Sequence, residues 1–351
     1  MPGVNTEFRD RDRLRRVGCA GDTVFLVSES PTKGSSLKAL AARVLPWAVA
    51  GFILWFLFQR IPLDDALAAA GKADLRLLVP AALSSVVVWF FLDSAGLAYI
   101  FSRFNAPLSF REARSVRALT YLLAVLNWNL GTGGIVLHMR HAKGTPVAQA
   151  TSTILFYNSI DALILVSLVV GASFVLPEEL GLASLQLGGL VFLAALSAML
   201  AVFISRWEPP WAWLRRFMGL GVFHAHRQAT WRDVFVVLGI RTLYFGVFVA
   251  FFAIALVAFG AAVPLSHVAA TVPPILFVGT LPITPAGLGT QQAAVVYFYR
   301  AFAPEAELLA LSFLFSIVFV ILRAPLALFY LNDLGTLRAE IAAGADESSA
   351  P

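Results

Sequence analysis

Runs of about twenty apolar residues recur along this chain, and a helix needs about that many to cross a ~30 Å hydrocarbon core. Six stretches have the length: about 40–58, 77–100, 147–176, 187–204, 234–261 and 308–331. Composition agrees with them: 59% of the 351 residues are hydrophobic and only 13% charged, with a mean hydropathy of +0.79. An average soluble domain carries about a quarter charged residues. The expected class is an all-α polytopic membrane protein, since lipid leaves backbone polar groups to be satisfied within helices.

Two further apolar stretches do not read as simple spans. One is "ALTYLLAVLNWNLGTGGIVLHMRHA", Ala118 to Ala142, interrupted by Asn127, Asn129 and the cluster Gly131-Thr132-Gly133-Gly134. The other runs from Leu265 to Phe302 and holds "GTLPITPAGLGTQQAAV", Gly279 to Val295. Each reads as two short helical pieces hinged on a Gly/Pro break. Such a pair either dips into the bilayer and returns or crosses it as a broken helix.

Basic residues favour the re-entrant form. With both hairpins re-entrant and the N-terminus cytoplasmic, the cytoplasmic segments hold 8 Lys/Arg through Arg43. They also hold Arg103, Arg111, Arg114, Arg117, Arg140, Lys143, Arg206, Arg215, Arg216, Arg227 and Arg232. The outer segments hold Arg60, Lys72, Arg76 and Arg300. That asymmetry is the positive-inside pattern, and Trp207, Trp211 and Trp213 read as a belt at the cytoplasmic interface. The expected organisation is a polar tail (1–37), a transmembrane domain (38–332) and a polar C-terminal tail (333–351), with both termini cytoplasmic.

The two broken stretches are related. "PLSFREA" begins at Pro107 and "PLSHVAA" at Pro264, 157 residues later; "LGTGG" opens at Leu130 and "AGLGT" at Ala286, 156 later. Units of about 77–176 and 234–331 thus repeat a span, an approach, a glycine break, a return and a span. In this topology they have opposite orientation. The expected fold is six transmembrane helices plus two re-entrant helical hairpins in an inverted-topology repeat, an arrangement whose discontinuous helices meet a substrate near the bilayer midplane.

Irregular backbone at membrane depth is tolerated only inside protein or along a water-filled cavity. The breaks therefore read as a cavity lining, or else as close helix packing through small residues. Pro282 and Pro285 would end the incoming helix. Gly287 and Gly289 would supply positive φ or close approach. The candidate substrate contacts are Asn127, Asn129, Gly131, Gly133 and Gly134 in the first break, with Thr284, Gly287, Gly289, Thr290, Gln291 and Gln292 in the second. His138 and Arg140 at the end of the first hairpin read as a basic edge for a headgroup. Asp161, with Asn158 a turn before it, and Arg241 are polar residues within spans. They either line the cavity, Arg241 attracting a lipid phosphate, or pair with each other. Asp93 and Arg323 are weaker candidates for the same lining. His224 and His226 read as surface residues of the interfacial loop.

At these residues the chain resembles the transmembrane, flippase-like region of the lysylphosphatidylglycerol synthase superfamily, including its stand-alone members. The similarity lies in "NWNLGTGGIVLHMRHAKGTPVAQATSTILFYNSIDALIL", Asn127 to Leu165, and "LPITPAGLGTQQAAVVYFY", Leu281 to Tyr299, and extends over about residues 38–332. The resemblance implies movement of lipid between leaflets, or a role in envelope lipid metabolism, in a bacterial inner membrane. Many members carry Glu where this chain has Ile135 and near its Gln292.

No Ser-His-Asp grouping, P-loop or dinucleotide fingerprint is present, which argues against an ATP-driven pump. The one cysteine, Cys19, excludes a Cys-cluster metal site. No cofactor and no nucleic-acid partner are expected; the net charge of +5 belongs to membrane orientation. The expected function is a non-enzymatic flippase or transporter for a phospholipid or lipid-linked substrate. The alternatives are a membrane-embedded lipid or glycan transferase and a non-transporting regulator of lipid synthesis.

Overall fold

The computed structural model describes residues 48–49, 51–126, 128–176, 185–281, 283–284, 287–323, 325–326 and 328–330, with backbone alone at 122–126, 128–130 and 317–320. Both expected tails, the first expected span up to residue 47, Asn127, Pro282 and Pro285 lie outside the described residues. No strand occurs among those described. In chain order the helices are α1 (51–60), α2 (Leu63–Lys72), α3 (Leu75–Phe104), α4 (Phe110–Leu126), α5 (Trp128–Lys143), α6 (Val147–Val175) and α7 (Gln186–Ile204). There follow α8 (Ala212–Met218), α9 (His224–Gln228), α10 (Trp231–Ala258), α11 (Leu265–Thr280), α12 (Thr290–Tyr299) and α13 (Glu305–Ile321).

Four of these, α3, α6, α7 and α10, are long and apolar enough to cross a membrane. The protein is a multi-pass, all-helical membrane protein. The 30 residues of α3 extend about 45 Å at 1.5 Å per residue, more than a hydrocarbon core, so the helix tilts or projects. On α7 the residues buried are Leu200 and Phe203, and Leu187 is 75% exposed. A helix apolar on all faces yet uncovered by protein is solvated by lipid.

The central pair is α3 and α10, pinned at three levels. At one end the backbone N–H of Asp74, the N-cap of α3, donates to the carbonyl of Ala258, 2.8 Å away. Midway, the Trp89 indole donates to the Tyr244 carbonyl at 3.1 Å. At the other end Asp233 accepts from Tyr99 (2.8 Å) and from Arg103 (3.0 Å). Asp233 also closes a capping box with Thr230, which starts α10 cleanly. As numbers rise on α3 they fall in step on α10, so the two helices are antiparallel in one register.

Two apolar cores flank this pair. One gathers α1, α2, the first half of α3, the second half of α10, and α11 to α13. The other gathers the second half of α3, α4 to α6 and the first half of α10. On α3 the first core ends at Trp89 and the second begins at Leu97. Polar residues occupy the gap between the cores.

After α3–α4–α5–α6 and the shorter stretch α7 to α9 come α10–α11–α12–α13, and Pro107-Leu108-Ser109 and Pro264 stand at the entries to the approach helices α4 and α11. Each approach helix also reaches into the opposite unit. α11 packs on α6, and Ala118 and Tyr121 of α4 pack with Tyr330, beyond α13.

Two details depart from the sequence reading. Gly131, Gly133 and Gly134 do not break the chain: they lie inside α5, which begins at Trp128. A glycine weakens a helix by about 1 kcal/mol in water, but in an apolar setting unpaired backbone costs more, so the helix persists. His226 is not a surface residue; it is 3% exposed beneath Phe156, Phe203 and Phe223. The short helix α2 has an acidic first turn (Asp64, Asp65) and a terminal Lys72, which suit the helix dipole.

Candidate functional site

A charge cluster fills the gap between the two cores. Asp161 is the midpoint of α6, and Asp93 and Arg241 lie near the middle of α3 and α10. Arg241 joins the carboxylates: its Nη1 donates to Asp93 Oδ1 at 2.7 Å, and its Nε donates to Asp161 Oδ1. Arg117 of α4 donates to Asp93 Oδ2 from Nη2 (2.7 Å) and Nε (3.1 Å), and the Tyr121 hydroxyl donates to the same oxygen at 2.7 Å. Rings wall the cations. Arg241 stacks on Tyr244 at 3.8 Å, with Tyr157 at 5.1 Å, and Arg323 lies 4.3 Å over Tyr121.

The cluster meets the main constraint on charge in a bilayer, that each ionised group has a partner facing the protein interior. Its two carboxylates are held unequally. Asp93 has three donors' worth of support and a side chain 2% exposed, whereas among the described residues Asp161 has Arg241 alone and is 25% exposed. Asp161 is thus the less firmly held of the two carboxylates.

The second hairpin is stitched to itself. Gly287 and Gly289 have φ of 72° and 85°, as the sequence anticipates. A Cβ on Gly287 would meet Gly279 Cα and O at 3.1 Å, so the chain crosses there backbone on backbone. The Gln292 side chain, fully buried, accepts from the Gly289 N–H at 2.6 Å and donates to Ser316 of α13 at 3.0 Å. Thr290 bonds the Gly287 carbonyl (3.0 Å) and the Thr284 hydroxyl (3.2 Å). Gln292, Thr284 and Thr290 therefore hold the hairpin's shape, while Gln291 is half-buried against Gly279.

In the first hairpin Gly131 is buried, and Gly133 and Gly134 are half-buried. Asn129 is helical but its side chain lies outside the described residues, and Asn158 is exposed. His138 approaches Glu112 at 3.4 Å and Lys143 meets the same carboxylate at 3.0 Å, while Arg140 is exposed. Among the described residues no three His, Cys, Asp or Glu side chains gather to hold a metal.

The structure thus joins Asp161 to Arg241, as one of the two sequence readings has it, and adds Asp93 as a full member. Arg117, Tyr121, Tyr157 and Tyr244 were not anticipated. Arg117 could not have been singled out: it falls 24 residues after Asp93 and is one of three arginines on an amphipathic helix.

The model of the lysylphosphatidylglycerol synthase TM region matches residues 43–327, most of the chain. The chain belongs to that family. Every helix from α1 to α13 lies inside the matched lysylphosphatidylglycerol synthase TM region, including both hairpins and all of the charge cluster. No curated protein matches the chain.

Proposed function

We propose that this member of the lysylphosphatidylglycerol synthase TM region family is a non-enzymatic flippase-like protein that carries a phospholipid or lipid-linked substrate between leaflets. The carrying observation is the cluster itself, with Arg241 shared between a locked carboxylate, Asp93, and a partly exposed one, Asp161. An arriving phosphate competes with Asp161 for Arg241 while Asp93 keeps the arginine in place. The acyl chains stay in the bilayer, beside helices such as α7.

The reading carries with it six spans and two re-entrant hairpins of opposite sense, in a bacterial inner membrane with cytoplasmic termini. The helix order and the reciprocal contacts of α4 and α11 support it, as does the positive-inside count. The test is reconstitution into liposomes with a fluorescent phospholipid and a membrane-impermeant quencher. Wild-type protein is expected to expose inner-leaflet lipid faster than empty vesicles, with Asp161→Asn and Arg241→Gln slower. Equal rates for all three proteins and the empty vesicles would sink the reading. Orientation is read separately, from the side on which cysteines at Thr132 and Thr290 label in a Cys19→Ala background.

A further inference from the structure

Arg114 is the half-buried cation on α4 that the charge cluster does not use, Arg111 being exposed. Arg117, one turn on, is held by Asp93, and Glu112 is engaged by Lys143 at 3.0 Å and His138 at 3.4 Å. Two residues apart on a helix is about 200°, so Glu112 lies on the other side of α4 from Arg114. Among the described residues Arg114 has no carboxylate and no hydrogen-bond acceptor, and its Nε is shut off from solvent with no partner. What surrounds it is aromatic: the guanidinium lies 5.2 Å from the Phe110 ring and 5.8 Å from that of Tyr330. A guanidinium carries five N–H donors in one plane, and rings satisfy the charge without satisfying the donors. A half-buried arginine without an acceptor is costly unless something else supplies one.

The flank of this site is apolar and open. Phe110 stacks on Phe91 of α3 at 6.1 Å, and the two are 42% and 40% exposed. Beyond Tyr330, Leu328 and Phe329 are 62% and 78% exposed. Arg114 lies four residues into α4, about 6 Å along its axis, so the cation sits a short way in from the helix start. An unpaired fork of donors beside uncovered aromatic and aliphatic surface matches an amphiphile with an anionic phosphate at one end.

We infer that Arg114, with Phe110 and Tyr330 as its walls, is a docking site for the phosphate of an anionic phospholipid, whose acyl chains lie along Phe91 and Phe110. This rests on the lipid-handling reading above and gives it an entry point: the lipid meets an unengaged guanidinium first and the shared Arg241 afterwards. Planar bidentate contact to phosphate is the natural use of such a guanidinium, and an ammonium in its place provides only a point charge.

The test is native mass spectrometry of the full-length protein, titrated after delipidation with phosphatidylglycerol and, as a phosphate-free control, diacylglycerol. Wild type is expected to hold one phosphatidylglycerol in preference to diacylglycerol. Arg114→Gln should weaken that binding roughly tenfold, the scale of a lost charge-assisted contact. Arg114→Lys should fall between, and Tyr330→Leu should weaken binding with the arginine intact. Arg111→Gln, which removes an exposed charge one turn earlier, should stay within about twofold of wild type. Equal losses for Arg111→Gln and Arg114→Gln would mean a diffuse surface attraction and overturn the site, as would unchanged binding by a folded Arg114→Gln. Displacement of the lipid by millimolar inorganic phosphate would overturn the lipid assignment. Binding lost in Arg114→Gln, with no lipid movement by wild type, would keep the site and remove the transport reading.

Discussion

Replacing Arg241 should cost more than any other single change in the charge cluster, and the loss should be recoverable by a second change. In Arg241→Gln, Asp93 keeps two contacts from Arg117 and one from Tyr121, so it stays satisfied. Asp161 loses its one partner. Breaking a buried ion pair from one side costs about 3–5 kcal/mol, because the remaining charge is stranded. Asp161 is a quarter exposed, which places the expected loss near the lower figure, about 3 kcal/mol. Asp161→Asn alone leaves Arg241 bound to Asp93 and should cost about 1 kcal/mol. Adding Asp161→Asn to Arg241→Gln removes the stranded charge, so the double variant should be more stable than Arg241→Gln itself, with a coupling of about 2 kcal/mol. Unfolding by sodium dodecyl sulfate in mixed micelles, followed by tryptophan fluorescence, gives all four values. Two single effects that add to within about 0.5 kcal/mol would refute the reasoning, since sites that do not share a partner behave so.

At the second hairpin, Gly287→Ala should destabilise by about 2 kcal/mol or more, measured by the same unfolding curves, since a Cβ there is strained by φ and meets backbone of Gly279. Gln292→Leu should cost about 1–3 kcal/mol by leaving the Gly289 N–H buried and unpaired. Gln292→Glu, which keeps that acceptor at a helix N-terminus, should stay close to wild type in thermal melts. His226 lies in the loop outside the spans, and burial among aromatic rings lowers its pKa from 6.5 to about 4. The unfolded chain then binds the proton first, so stability should fall as pH drops from 6.5 towards 4, by roughly 3 kcal/mol over that window, and be flat above it. Across pH 4–8 the melting temperature of wild type should fall relative to that of His226→Phe as pH drops below 6.5, because the variant has no imidazole to protonate.

The four long helices were legible in the sequence because each is an unbroken apolar run, and lipid leaves such a run little choice of structure. The positive φ at Gly287 and Gly289 was legible too, from a proline-flanked glycine pair. The glycines of the first hairpin misled, because Gly131, Gly133 and Gly134 are permissive residues whose conformation is decided by their surroundings. The same limit applies to the site. Asp161 and Arg241 stand out as isolated charges in apolar runs, but Arg117 sits among other arginines on a helix of mixed polarity, and nothing local marks it for Asp93. His226 could not be placed either: its aromatic cover arrives from α6, α7 and the short turn before α9.

The three levels of contact between α3 and α10 bear on how the proposed carrier would move. A pair fastened at Asp74–Ala258, at Trp89–Tyr244 and at Arg103–Asp233 cannot slide along itself without breaking all three at once. It behaves as an axle. On the proposed transport reading, alternation comes from helices moving about that fixed line, with Asp93 and Arg241 carried on the axle, Arg117 on the hairpin α4–α5 and Asp161 on α6.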